Sequence, residues 1–253
     1  MADILQQIVT NKRREVEAVG SLCTYSCTGR VKARSMSRAL TDSDTGIIAE
    51  FKRRSPSRGE IHPKALVEDV IPGYTSAGAS ACSILTDTPF FGGALTDLAV
   101  ARSLTDIPLL RKDFIVSEFQ IHEAARFGAD TILLIASALT GDEIERFTKC
   151  AHSVGLEVLL ELHSMDELEK FCTGVEMVGV NNRNLATFHT DPELSLKVAR
   201  ELPDNVVKVA ESGLTSMSEV RRLRDAGYRG FLIGETFMRE PDPGYALARF
   251  LTD

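Results

Sequence analysis

Residues 107–161 read IPLLRKDFIVSEFQIHEAARFGADTILLIASALTGDEIERFTKCAHSVGLEVLLE. Three short apolar runs, 107–112, 130–135 and 156–161, alternate here with two longer stretches of helical periodicity, 117–127 and 140–153. Short runs this rich in Ile and Leu predict strands packed on both faces, as in a parallel sheet. Gly128 and Gly155 stand where the helices should stop, and Thr140 is placed as an N-cap.

The alternation extends in both directions. Strands are expected at 46–52, 80–86, 107–112, 130–135, 156–161, 176–181, 205–211 and 229–234. Helices are expected at about 64–77, 94–104, 117–127, 140–153, 164–172, 191–202, 215–226 and 241–251, with Ser164 as a further N-cap. Eight strands each followed by a helix predict the α/β class and a (β/α)8 TIM barrel. A doubly wound sheet is the competing architecture, but no G-x-G-x-x-G turn follows the first strand at Phe51. Pro72-Gly73 falls inside the first helix and predicts a kink or break. Residues 1–45 precede the repeat and read as an N-terminal helical extension on a barrel of 46–253. There Ile4, Leu5, Ile8 and Val9 follow Asp3, an N-cap candidate, at helical spacing, and lead into basic Lys12, Arg13 and Arg14. An amphipathic helix packed near the barrel mouth is expected.

A chain of 253 residues can bury one barrel-sized core, roughly 70–75 % of its unfolded surface. Its 43 % apolar and 26 % charged content fits neither disorder nor a membrane class. No apolar run approaches the ~20 residues that span a bilayer, and the N-terminus does not read as a signal peptide, so a cytoplasmic location is expected. A net charge of −7 argues against nucleic-acid binding. Five cysteines, with Cys82 in a strand pattern and Cys150 and Cys172 in helical ones, suit a reducing compartment. Cys23 and Cys27 form a C-x3-C pair without a second pair, and His62, His122, His152, His163 and His189 show no ligand spacing, so no metal is expected. A monomer is the expected state, with a homo-oligomer left open.

The strand ends carry the chemistry. Apolar runs finish at Glu50 and Lys52, Lys112, Glu161, Asn181 and Glu211. An ionised group so placed must reach water, a partner or a ligand, and in a parallel barrel all strand C-termini open on one mouth. Glu50 and Lys52, two apart, share a face, and Lys112 and Glu161 are expected to join them in one cavity. Like-charge neighbours and partial burial should move such groups toward neutrality, from ~10.4 for Lys and ~4.3 for Glu, where proton transfer works best. Two structural salt bridges are the alternative. Lys52, Arg53, Arg54 and Arg58, on a loop punctuated by Ser55, Pro56, Ser57 and Gly59, suggest a small anionic ligand or else a solvated basic loop. Ser212 and Gly213 after the seventh strand, and Gly234 and Glu235 after the eighth, lie where this fold cradles phosphate. A side chain at Gly234 should therefore impair binding more than turnover.

In order and spacing, IAEFKRRSPSRG (48–59), LLRKDFIV (109–116) with Gln120, GADTILLI (128–135), GVNNRNL (179–185), VAESGL (209–214) and LIGETFM (232–238) resemble the motifs of the indole-3-glycerol phosphate synthase family. The resemblance implies ring closure of 1-(2-carboxyphenylamino)-1-deoxyribulose 5-phosphate with loss of carbon dioxide and water, and no cofactor. The expected partner is thus a small phosphorylated and carboxylated substrate. By the same resemblance Lys112 is the general acid, Glu161 the base of the dehydration, Lys52 the holder of the anthranilate carboxylate with a share in the acid role left open, and Glu50 the residue orienting both lysines and the substrate hydroxyls. Asn181 and Arg183 would position the sugar and reacting groups, Ser55 the carboxylate side and Glu211 the ribulose hydroxyls. Phe91, Phe114, Leu133 and Leu185 would wall the ring. Two positions depart from the family pattern: a serine expected after the second strand is Ala94, and Glu235 puts a carboxylate beside the phosphate loop. A Schiff-base aldolase-type lyase with Lys112 as nucleophile, and a non-catalytic phosphometabolite-binding barrel, remain as other readings.

Overall fold

The apolar runs are too short for helices and too apolar for loops, and each becomes a strand. In the computed structural model, which describes residues 4–20, 34–183 and 193–253, they are β1 (Ile47–Phe51), β2 (Ala81–Leu85), β3 (Leu109–Lys112), β4 (Thr131–Ile135), β5 (Glu157–Leu162), β6 (Met177–Asn181), β7 (Val207–Glu211) and β8 (Gly230–Ile233). Each pairs in parallel with its sequence neighbours, and β8 closes on β1 through Ile47↔Phe231 and Ala49↔Ile233. The expected (β/α)8 barrel is present. Asp3, Cys23, Cys27, Leu185 and His189 lie outside the described residues.

Alternation along the strands sorts the core into two parts. Ile48, Ala81, Leu110, Leu133, Leu159, Met177, Val209 and Leu232 point inward and fill the barrel. Their neighbours Ile47, Ala49, Ile84, Ile132, Leu160, Val178 and Phe231 point outward to the helices. Each of the larger side chains among them, the two alanines apart, contributes roughly 1.5–3 kcal/mol when fully buried.

The helical layer comprises α3 (Val67–Ala77), α4 (Leu95–Leu104), α5 (Glu118–Arg126), α6 (Gly141–Ser153), α7 (Glu193–Glu201), α8 (Met217–Asp225) and α9 (Pro243–Thr252). Two expectations are corrected. The helix at 164–172 is instead a 3-10 segment, Met165–Lys170. A 3-10 helix rises about 2.0 Å per residue against 1.5 Å, which suits the short connection from Leu162 to Met177. Of the kink or break expected at Pro72, the break is absent, since α3 runs from Val67 to Ala77 with Pro72 inside it. The carbonyl that Pro72 leaves without a donor belongs to exposed Glu68, where water can serve it. Gly73 has a packing reason, because a Cβ there would stand 3.2 Å from Gly244 Cα, where α3 meets α9. No helix among the described residues is long and apolar enough to cross a membrane.

The N-terminal arm contributes α1 (Ile4–Gly20) and α2 (Met36–Asp42), and the two go to opposite ends of the barrel. Met36 and Leu40 of α2 join the interior cluster, while Ser35 Oγ and Ser37 N donate to Glu157 at the start of β5, at 2.6 and 2.9 Å. α2 thus plugs the bottom. Helix α1 brings Ile4, Leu5 and Ile8 to the mouth cavity. It is pinned there by Lys12, whose Nζ lies 3.0 Å from Asp87 and 3.1 Å from Asp113, beyond the ends of β2 and β3. Burial alone would lower the Lys12 pKa, but these carboxylates outweigh it and raise it. Lys12→Met is expected to lower stability by about 3 kcal/mol, because it strands buried Asp87, and to raise KM as the α1 roof loosens. Denaturant unfolding and steady-state kinetics of the variant check both effects.

Candidate active site

Inward-facing positions on alternate strands of such a barrel stack in layers of four. Two residues above Ile48, Leu110, Leu159 and Val209 come Glu50, Lys112, Glu161 and Glu211, so β1, β3, β5 and β7 supply a single layer made entirely of charged groups. Lys112 Nζ lies 3.0 Å from Glu161 Oε2 and 2.5 Å from Glu211 Oε2. Lys52, one step further toward the mouth, pairs with Glu50 at 2.7 Å. Asn181 Nδ2 donates to Glu161 Oε1 at 3.2 Å.

Glycines on the even strands make room for this layer. A Cβ at Gly179 would collide with Glu211 Oε1, and one at Gly234 would stand 2.5 Å from Glu50 Oε1. The second contact revises the expectation for Gly234: any side chain there strikes the acid–base layer, so turnover should suffer along with binding.

Electrostatics separate the members. Burial pushes the Lys112 pKa down, yet Glu161, Glu211 and Glu50 together raise it, so Lys112 is a firmly held ammonium. Burial likewise pushes Glu161 up, but Lys112 and His163 outweigh it and hold Glu161 well below the usual carboxylate range. Glu211 goes the other way: burial, reinforced by Glu161, overcomes the pull of Lys112 and pushes it up to about 8. The expected drift toward neutrality is therefore absent at Lys112 and Glu161 and present at Glu211.

The layer floors a cavity of about 420 Å³, and with the exception of Leu185 every residue expected at the site lines it. Phe91 and Phe114 form one wall, their ring centroids 6.0 Å apart and their planes tilted by 37°, with Leu133 beside them. Ser55, only 7 % exposed, lines the cavity from the first loop. Ser212 and Gly213 adopt φ of +66° and +80°, and Ser212 is the only non-glycine with positive φ among the described residues. Such a conformation costs about 1–3 kcal/mol and is typically kept at functional sites. Of the basic loop, only Lys52 and Arg58 face the cavity. Arg53 is spent on Asp97 and the carbonyls of Ala65 and Gly92, and Arg54 on those of Thr88 and Pro89.

Sequence reasoning missed His163. It follows Glu161 by two residues, and its Nε2 lies 3.0 Å from Glu161 Oε1. Burial works against its protonation, but Glu161 and Glu167 raise its pKa overall. The i, i+2 spacing after a strand-end glutamate was the available signal. Arg239 and Thr215, which line the cavity where His163 does not, carried none.

A mouth of this kind places the chain among barrel enzymes that move protons on an aromatic, anionic small molecule. The family model described as indole-3-glycerol phosphate synthase matches residues 5–250. The indole-3-glycerol phosphate synthase of Bacteroides thetaiotaomicron is 52 % identical over 99 % of this chain and 98 % of its own length. That of Koribacter versatilis is 40 % identical over 99 % and 100 %. The chain belongs to the indole-3-glycerol phosphate synthase family. Among solved structures, a thiamine phosphate pyrophosphorylase from Pyrococcus furiosus is similar with a TM-score of 0.63 at 17 % identity, covering 86 % of this chain and 96 % of its own. An N-acetylmannosamine-6-phosphate 2-epimerase from Clostridium perfringens follows at 0.62 and 12 %, covering 89 % and 99 %. Both share the fold alone.

Proposed function

We propose that this protein is a carboxy-lyase of tryptophan biosynthesis that closes the ring of 1-(2-carboxyphenylamino)-1-deoxyribulose 5-phosphate to give indole-3-glycerol phosphate, carbon dioxide and water. The observation that carries the reading is the Lys112 ammonium held between Glu161 and Glu211 under an aromatic wall. In the first step the ring carbon bearing the carboxylate bonds to the ribulose carbonyl carbon, and the carbonyl oxygen takes a proton from Lys112. The C–CO2⁻ bond then breaks, and its electron pair returns to the ring. Last, Lys112, reprotonated from solvent, gives a proton to the new hydroxyl, which leaves as water while Glu161 removes a proton from the carbon next to nitrogen.

Lys52 and Ser55 hold the substrate carboxylate, with Glu50 fixing Lys52. Asn181 orients Glu161, Arg183 and Glu211 hold the sugar, and Phe91, Phe114 and Leu133 grip the ring. The phosphate is received by Ser212, Gly213, Gly234 and the backbone of Glu235. Within the arm of residues 1–45, α1 roofs the mouth and α2 plugs the base of the 46–253 barrel. The enzyme works as a cytoplasmic monomer, without cofactor or nucleic acid.

A nucleophilic Schiff-base lysine needs a depressed pKa, and Lys112 is pushed the opposite way. Borohydride added during turnover should leave indole product and no adduct on Lys112. A covalent adduct there would replace this reading with the aldolase-type one.

Titration of Glu211 gives a pH test. Below about 8 it is protonated and the cavity is less negative, which favours an anionic substrate. Hence kcat/KM, which reports free-enzyme groups, should fall as pH rises through about 8. In Glu211→Gln that limb should vanish from the pH profile.

A further inference from the structure

Glu235 does not turn its carboxylate away from the mouth. Its Oε1 lies 3.0 Å from Arg58 Nε and 3.9 Å from Arg239 Nη1, and its Oε2 lies 3.3 Å from Arg183 Nη2. The carboxylate is the inner member of this group, 16 % exposed against 59 % and 58 % for Arg58 and Arg239. Three guanidinium groups from three different loops converging on one anion is the arrangement by which proteins hold phosphate.

We propose that Glu235 is a built-in anion that occupies this arginine cluster until the substrate phosphate arrives and then yields Arg58 and Arg183 to it. The inference rests on the phosphate cradle proposed above. A phosphate dianion seated at Ser212, Gly213 and Gly234 brings two negative charges beside the carboxylate, in a half-buried site where screening is weak. The ion pairs with Glu235 keep the arginines oriented but occupied, so each phosphate competes with a resident charge.

The exchange reaches beyond the phosphate. Arg183 also donates from Nη1 to Ser57 Oγ at 2.9 Å, and its backbone N–H donates to Asn181 Oδ1 at 3.1 Å. Asn181 in turn holds Glu161. Loss of the Glu235 contact is therefore transmitted to the first loop and to the residue that orients the base. Because the product carries the same phosphate as the substrate, a resident competitor also hastens product release, a step that limits many enzymes. Glu235 is thus a positioning residue that sets phosphate affinity.

Glu235→Gln keeps the shape and a hydrogen-bond acceptor but removes the charge. Titration calorimetry with inorganic phosphate at fixed pH and ionic strength should give a Kd about tenfold lower for the variant than for the parent protein. Steady-state kinetics should show KM falling by more than kcat changes. An equal or higher Kd in the variant would overturn the inference while leaving the cradle standing. Failure of phosphate to bind either protein would overturn the cradle and the inference with it.

Discussion

Lys112→Ala is expected to lower kcat by about two to four orders of magnitude, the usual worth of a positioned proton donor. The ammonium sits on the floor of the cavity with two carboxylates within 3.0 Å. No other cation of the charged layer is placed to replace it, since Lys52 is paired with Glu50. Removing it also leaves Glu161 and Glu211 facing each other with only His163 beside Glu161, and both should then take up protons more readily. On the proposed assignment, the base of the last step would be lost along with the acid of the first. KM should change far less, because the proposed phosphate and carboxylate sites lie elsewhere in the cavity. A near-wild-type kcat would remove Lys112 from the acid role.

Glu161→Gln is expected to slow the dehydration by about two orders of magnitude or more. Glutamine can keep the contact with Asn181, which reaches Glu161 at 3.2 Å, so the geometry is retained and the base alone is lost. Ring closure and decarboxylation, assigned in the proposal to Lys112, should proceed. In a rapid-quench single turnover, carbon dioxide should therefore appear ahead of indole product, with a decarboxylated, still hydroxylated intermediate between them. Simultaneous release of the two at the parent rate would assign the base elsewhere, with Glu211 the first candidate given its pKa of about 8.

Local pattern explains what could be read in advance. Strand positions follow from apolar runs bounded by glycine and caps, and the barrel from their count. Because side chains alternate on a strand, the sharing of one cavity by Glu50, Lys52, Lys112 and Glu161 was also legible. Pairing through space was not. Lys12 read only as the first member of a basic stretch, and its partners Asp87 and Asp113 lie far along the chain and meet it only once α1 docks. Arg53 and Arg54 looked like ligand-binding cations beside Arg58, but their direction depends on a small antiparallel ladder, Arg54↔Glu60 and Ser55↔Gly59, that orders the first loop.

The charge states were hidden for the same reason. A lysine flanked by unknown neighbours was expected to drift down, whereas three glutamates raise it. Which glutamate carries the raised pKa depends on which has donors, and His163 and Asn181 both serve Glu161. That leaves Glu211 as the member pushed up by burial.

The central claim is tested most directly by incubating the purified protein with 1-(2-carboxyphenylamino)-1-deoxyribulose 5-phosphate while recording indole fluorescence and released carbon dioxide together. Catalytic turnover with equal amounts of carbon dioxide and indole product is the predicted result. Binding of the compound with neither signal, or carbon dioxide without indole, would contradict the account.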